Sequence, residues 1–279
     1  MTLTMYEVNF GEAILITEGN HQLLVDCGAK FGGKGKTAAA AVQGQWTQTH
    51  KEALVTHFDE DHYNGLIELA GQVQLEHIYL PLYKYSRGIG VEETEAYLNN
   101  VVRVWCYQRL IKHSRKLDVL HRLLLSLPGL VGRRGQVSCV GKGDHVNCGS
   151  KVWNVLWPEP KNGRLQRYVR ELEDMVGKYT MDRREHVQQT VERYTQALVA
   201  VYALYAEQSD TLMSEDRASM VYQDLEDGFQ QLVQLTFDHA IEPEDTLRMR
   251  SIFQSVIRSM NDSSVVMECP GEALLLGDI

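Results

Sequence analysis

VTHFDEDHYNG, residues 55–65, puts two histidines and three acids into the six positions from His57 to His62. The cluster follows an apolar run, KEALVTH, which reads as a buried strand ending on His57. Bringing so much charge and imidazole together is costly unless a positive centre sits among them. His57, Asp59, Asp61 and His62 are all good ligands for a divalent cation. Positions i and i+2 of an extended segment face one side, so His57 and Asp59 can share one ion. Asp61 and His62 fall at the start of the next helix and can turn towards a second ion. Two ions roughly 3.5–4 Å apart can clamp a bridging hydroxide and the oxygens of a substrate. The structural alternative is that Asp61 caps the helix while Asp59 and Glu60 are solvated loop acids.

Upstream of the cluster, YEVNF, EAILIT and HQLLVDCG are short apolar runs parted by turn residues, with Gly19-Asn20 as a hairpin signal. Downstream, LIELAGQ predicts a short helix and VQLEHIYLP a strand closed by Pro81. Acids early and bases late mark a helix over about 92–126, stopped by Pro128-Gly129. GQVSCVGKGDHVNCGSKVWNVLWPEP returns to strands. Between about 161 and 260, apolar residues recur at helical spacing: Leu165, Val169, Leu172, Val176 and Tyr179, then Val187, Val191, Tyr194, Leu198, Tyr202 and Tyr205. This predicts a helical hairpin followed by shorter helices. SSVVMEC and EALLLGD form a last hairpin around Pro270-Gly271. The domain reading is therefore 1–160, a helical insertion over 161–260, and returning strands over 261–279.

Composition sets outer bounds. The 279 residues suit one large domain or two modest ones. No apolar run approaches the roughly 18 residues of a membrane span, and MTLTMYEVNF lacks the pattern of a signal peptide. The five cysteines are spread out with no CxxC, which argues against a disulfide framework or a thiolate zinc site and predicts a cytoplasmic protein. A net charge of −9 counts against a dedicated nucleic-acid binder. There is no GxSxG elbow, Walker loop or GxGxxG after a strand. FGGKGKT, residues 31–37, reads as a loop beside the metal site, whose Lys34 and Lys36 would meet an anion.

THFDEDHYNG resembles the HxHxDH signature of the metallo-β-lactamase-fold hydrolases, and more closely the SHxDxDHxGG variant of the ComEC-type competence proteins. GEAILITEGNHQLLVDCG is similar to that family's opening strands; KVWNVLWPEP and NDSSVVMECPGEALLLGDI are similar to its later ones. The resemblance implies an α/β fold, an αββα metallo-β-lactamase-type sandwich, here with a large helical insertion. It implies two divalent metal ions, Zn or Mn, with His57 and Asp59 on the first, Asp61 and His62 on the second, and Asp278 bridging. Asp26 becomes a hydrogen-bond acceptor that orients a ligand. The implied activity is metal-dependent hydrolysis of a phosphodiester, with nucleic acid as a candidate substrate and Asp61 orienting or deprotonating the water. A carboxylic ester or lactone, or a noncatalytic relative that binds a partner protein or self-associates through its helices, are the alternatives.

Two departures stand out. Asp59 occupies a position where the common signature has His, making the donor set harder and more tolerant of Mn²⁺. The family continues past its Gly-Asp pair to another metal-binding His, whereas this sequence stops one residue after Asp278. The expectation is a longer parent protein, a partner that supplies the missing face, or an incomplete site. His145 is the candidate for a middle His ligand; His77 reads as a strand residue, and His113, His121, His186 and His239 as surface or packing residues.

Overall fold

The computed structural model describes the chain except for residues 9–10, 31–34, 83–90, 113, 133–134, 158–162, 181–182, 207–214, 236–240 and 278–279. The described residues form two compact units, one built from Met1–Gly88, Arg122–Glu159 and Met260–Ile279, the other from Ile89–His121 and Pro160–Ser259. The helical unit is thus contributed by two stretches of chain, with Ile89–His121 joining the predicted insertion.

The first unit holds two sheets. Six strands, β1 (Thr2–Met5), β2 (Ile14–Glu18), β3 (His21–Val25), β4 (His50–Leu54), β5 (His77–Pro81) and β6 (Gln136–Val140), lie side by side in chain order. β1, β2 and β3 pair antiparallel. The predicted Gly19-Asn20 turn joins β2 to β3, with Glu18 opposite His21 and Gly19 at φ 59°, where glycine bears no Cβ penalty. β3, β4, β5 and β6 run parallel. Parallel neighbours need crossovers, which α1 (Gly35–Gln43), α2 (Glu60–Leu69) and, between β5 and β6, α4 (Lys116–Val131) supply. The second sheet is the antiparallel set β10 (Ala273–Leu275), β9 (Val266–Cys269), β8 (Lys151–Trp157) and β7 (His145–Cys148).

Alternation along the strands explains how the sheets pack. Ile14, Ile16, Leu23, Val25 and Leu54 from the first sheet meet Val146, Cys148, Trp153, Val155, Met267 and Cys269 from the second in one buried cluster. Leu15, Leu24 and Ala53, one residue out of phase, are also buried. They face the helical side, where Gln22 of β3 donates to the Gln45 carbonyl just past α1 (2.9 Å). α2 and α4 are neighbours there, linked by Arg122–Glu68 at 3.5 Å. The unit is an α/β sandwich, and the outward positions Val152, Leu156 and Leu274 of its second sheet are exposed.

In the second unit, α3 (Val91–Lys112), α5 (Gly163–Thr180) and α6 (Arg184–Ala206) pack together, and α7 (Glu215–Val233) packs on α6. The predicted stripes are the buried faces: Leu165, Val169, Leu172 and Val176 on α5, and Val187, Val191, Tyr194, Leu198 and Tyr202 on α6. α8 (Pro243–Asn261) is tied to α5 by the Tyr179 hydroxyl donating to Asp245 (2.7 Å). No helix among the described residues is long and apolar enough to cross a membrane.

Four local expectations shift. The first strand is Thr2–Met5, and the described part of YEVNF, Tyr6–Val8, is not strand. The single helix over 92–126 is two helices, and Pro128 lies inside α4 without ending it. Only about one turn follows that proline, so little helix depends on the hydrogen bond it removes. α2 begins at Glu60, six residues before LIELAGQ. Finally, α7 and α8 have 19 residues each, longer than α5.

Candidate metal centre

The carboxyl ends of β3 and β4 lie together, because the strands are parallel and in register from His21↔His50 to Val25↔Leu54. Crevices at the carboxyl ends of parallel strands are where α/β folds commonly bind ligands. Asp26 leaves β3 there; its N–H donates to the Leu54 carbonyl (2.8 Å). Thr56, His57 and Asp59 leave β4 at the same edge. The chain before β9 completes the corner, with the Val265 N–H donating to the Thr56 carbonyl (2.9 Å).

Asp59 is the N-cap of α2, its carboxylate accepting from the Glu60 N–H (3.1 Å). The capping role considered for Asp61 therefore belongs to Asp59. Asp61 and His62 occupy the first helical turn. His57, Asp59, Asp61 and His62 are all buried, as is Asp26. The two imidazoles sit 4.1 Å apart, tilted by 50°.

The hydrogen bonds fix which nitrogen of each ring carries the proton. Asp26 Oδ2 accepts from His62 Nδ1 at 2.8 Å, so that nitrogen is the donor and His62 Nε2 holds the lone pair. The same oxygen accepts from the Thr56 hydroxyl at 2.6 Å, while Oδ1 accepts from the Thr56 N–H at 2.8 Å. The Thr56 proton is thereby committed to Asp26. Towards His57 Nδ1, 3.1 Å away, Thr56 Oγ1 can only accept. A neutral His57 with Nδ1 as donor satisfies both hydroxyls, Thr56 Oγ1 and Ser264 Oγ at 3.1 Å, and leaves a lone pair on Nε2. A carboxylate behind a histidine is the arrangement that readies imidazole for a metal. Asp26 holds this position at φ 56°, unusual for a residue with a Cβ.

Backbone contacts lock the turn around these groups. Cys27 N–H donates to the His62 carbonyl (2.7 Å), and Gly65 N–H donates to the Cys27 carbonyl (2.7 Å). Gly28 abuts the first turn of α2: a Cβ there would stand 2.6 Å from His62 N and closer still to the Asp61 carbonyl. Burial, then the Asp59 charge, raises the Asp61 carboxyl above the usual range, while His62 and Lys30 pull it down. Lys30 Nζ lies 3.7 Å from Asp61 Oδ2, and its side chain is 52% exposed. Burial and the Asp26 charge push the Cys27 thiol up to about 12, which rules it out as a nucleophile at neutral pH.

Neutral imidazole and carboxylate are the donor types a divalent cation takes, and the buried Asp26 behind His62 suits a ligand histidine. Among the described residues, the three cation-capable side chains whose ligand atoms all lie within 4.8 Å of one another are Glu12, Asp26 and His62. No group of three ligand atoms that close among the described residues includes His57, Asp59 or Asp61. Asp278 and Lys34 lie outside the described residues, as do His113 and His239. The described chain ends at Gly277, beside Ser264, where a Cβ would overlap Ser264 Oγ. His145 starts β7, is exposed, and lies out of phase with the inward Val146. His77 Nε2 bonds Ser138 Oγ (2.7 Å), and His186 and Lys36 are exposed on helices.

Glu12, Thr56, Ser264 and Lys30 were not singled out by sequence. Thr56 carried a weak signal, a hydroxyl between an apolar strand and a histidine. Glu12 carried another, an acid directly before the apolar run AILI.

No protein-family model matches the chain, and no curated protein matches it. Among solved structures, a metallo-β-lactamase bound to 2-mercaptoethanesulfonate is similar at 13% sequence identity and a TM-score of 0.31, with 82% of this chain and 92% of that chain covered. A likeness of that size carries no weight, and the sandwich stands on its own strand order and register.

Proposed function

We propose that the chain is a metallo-β-lactamase-type, metal-dependent hydrolase of the ComEC-like variety, acting on a phosphodiester in a nucleotide or nucleic acid. One observation carries this reading: His57 and His62, 4.1 Å apart, are both held by the Asp26–Thr56 hydrogen bonds in the tautomer that offers Nε2. His57 and Asp59 would hold one ion, Asp61 and His62 a second, with Asp278 between them. Zn²⁺ or Mn²⁺ bound there supplies a nucleophile at neutral pH and stabilises charge developing on the substrate.

The chain's own residues do the rest. Asp26 and Thr56 keep both imidazoles from rotating. Asp61, on the rigid first turn of α2, orients the attacking water and takes its proton. Lys30, half exposed beside Asp61, offers a cation to the substrate, which favours an anionic ester over a neutral one. Five free, buried cysteines support a cytoplasmic location.

The test is metal content together with hydrolysis of bis(p-nitrophenyl) phosphate by the purified chain with Zn²⁺ or Mn²⁺. Bound metal and turnover are expected, both lost in His62→Ala. A chain that folds, binds neither ion and cleaves nothing would overturn the proposal.

A further inference from the structure

The metal motif does not include Glu12, yet the fold delivers it to the same imidazole. Its Oε2 lies 3.8 Å from His62 Nδ1, the nitrogen that Asp26 already engages at 2.8 Å. At 3.8 Å the contact is one of charge and not a hydrogen bond. The two carboxylates therefore divide the work, Asp26 taking the proton and Glu12 adding negative charge beside it. Asp26 is fully buried, whereas the Glu12 side chain is 23% exposed, so Glu12 forms the solvent side of the pair.

The placement is not left to a loose loop. The Glu12 N–H donates to the Asp61 carbonyl (3.4 Å), and its own carbonyl accepts from the Gly28 N–H (3.0 Å). One residue earlier, a Cβ at Gly11 would stand 2.7 Å from Ala29 Cα, so only glycine lets the segment lie this close. The stretch before β2, the turn after β3 and the first turn of α2 are thus joined through the backbone of Glu12.

We propose that Glu12 is a positioning residue of the metal centre. Its carboxylate, beside Asp26, holds the His62 ring with Nδ1 as the donor and Nε2 presented to the cation. It thereby raises the affinity of the site for a divalent ion. The inference rests on the metal-binding reading above.

The experiment is chelator competition for Zn²⁺ and Mn²⁺ on the full chain, comparing wild type, Glu12→Gln, Glu12→Asp and His62→Ala. Removing a partner behind a ligand typically weakens metal binding by about 10–100-fold. Glu12→Gln keeps the size and loses the charge, so affinity falls about tenfold, the lower end of that range. Glu12→Asp, which restores the charge, recovers part of the loss. In the metal-free chain, imidazole ¹⁵N shifts report the His62 tautomer; wild type shows the Nδ1–H form, and Glu12→Gln gains a fraction of the other. Affinity and tautomer both unchanged in Glu12→Gln, while His62→Ala loses the metal, overturns the role of Glu12 alone. Affinity unchanged in His62→Ala overturns the metal centre itself. If Glu12→Gln folds poorly, Glu12→Asp decides: a partial loss of affinity with a gained fraction of the other His62 tautomer sustains the inference, and wild-type affinity with an unchanged tautomer sinks it.

Discussion

Replacing Gly28 by alanine should damage both stability and the proposed metal centre through a single contact. The added Cβ would stand 2.6 Å from His62 N, whereas ordinary contact begins at 3.4 Å. The obstacle is the backbone of the first turn of α2, so no side chain can swing aside. The turn after β3 and the start of α2 must separate by roughly 1 Å, a strain that costs about 1–3 kcal/mol in a packed interior. That motion pulls on two hydrogen bonds, Cys27 N–H to the His62 carbonyl and Gly28 N–H to the Glu12 carbonyl. Each is worth about 1 kcal/mol net. The whole penalty is about 3 kcal/mol, which for a domain of this size lowers Tm by roughly 6–12 °C. The same motion draws His62 away from Asp26, so metal affinity falls with it. Thermal melts and chelator competition read the two effects. Gly129→Ala in α4, where a Cβ meets nothing within 4 Å, is the control; a helical Gly→Ala change should stabilise by about 0.5–1 kcal/mol. A Gly28→Ala chain that melts with wild type and keeps its metal affinity would refute the claim that this close approach sets the site.

Trp153 is fully buried between the sheets, and its indole N–H has no hydrogen-bond partner among the described residues. Trp153→Ala should cost about 3–5 kcal/mol, while Trp153→Phe, which removes that unpaired N–H, should stay within about 1 kcal/mol of wild type in urea melts. His121 is stacked on Phe229 at 3.9 Å and lies 3.4 Å from the Tyr194 hydroxyl; Arg109, paired with Asp118, covers the other ring. Burial lowers His121 to about 4 from 6.5, so its neutral form contributes stability in full above pH 6.5. That contribution, about 3 kcal/mol, is lost as pH falls from 6.5 towards 4, because the unfolded chain binds the proton first. Unfolding free energies from urea melts at pH 7 and 5 should differ by about 2 kcal/mol in wild type, and by clearly less in His121→Phe. Lys30→Ala should raise KM for an anionic phosphodiester severalfold and leave a neutral p-nitrophenyl ester unchanged; equal effects on both would remove Lys30 from substrate recognition.

What could be read from sequence was whatever repeats or clusters locally. The stripes on α5 and α6 and the Gly19-Asn20 hairpin depend on neighbours three, four or two residues away, and they fold as predicted. The density of His57, Asp59, Asp61 and His62 was visible for the same reason. Pro128 misled because a proline's effect depends on how much helix follows it, which only the next strand decides. The start of α2 was missed because an acidic segment has no apolar period; its signal was instead the capping acid Asp59, read as a ligand. Asp59 caps α2, its carboxylate 3.1 Å from the Glu60 N–H. The residues that decide how the histidines sit were illegible for a deeper reason. Ser264 is 207 positions from His57, and Glu12 is 50 positions from His62. Each is an ordinary polar residue until β9 and β2 bring it to the ends of β3 and β4. A short motif can name the atoms that would touch a metal, but the tautomer that lets them do so is written by the sheet, through Asp26 and Thr56.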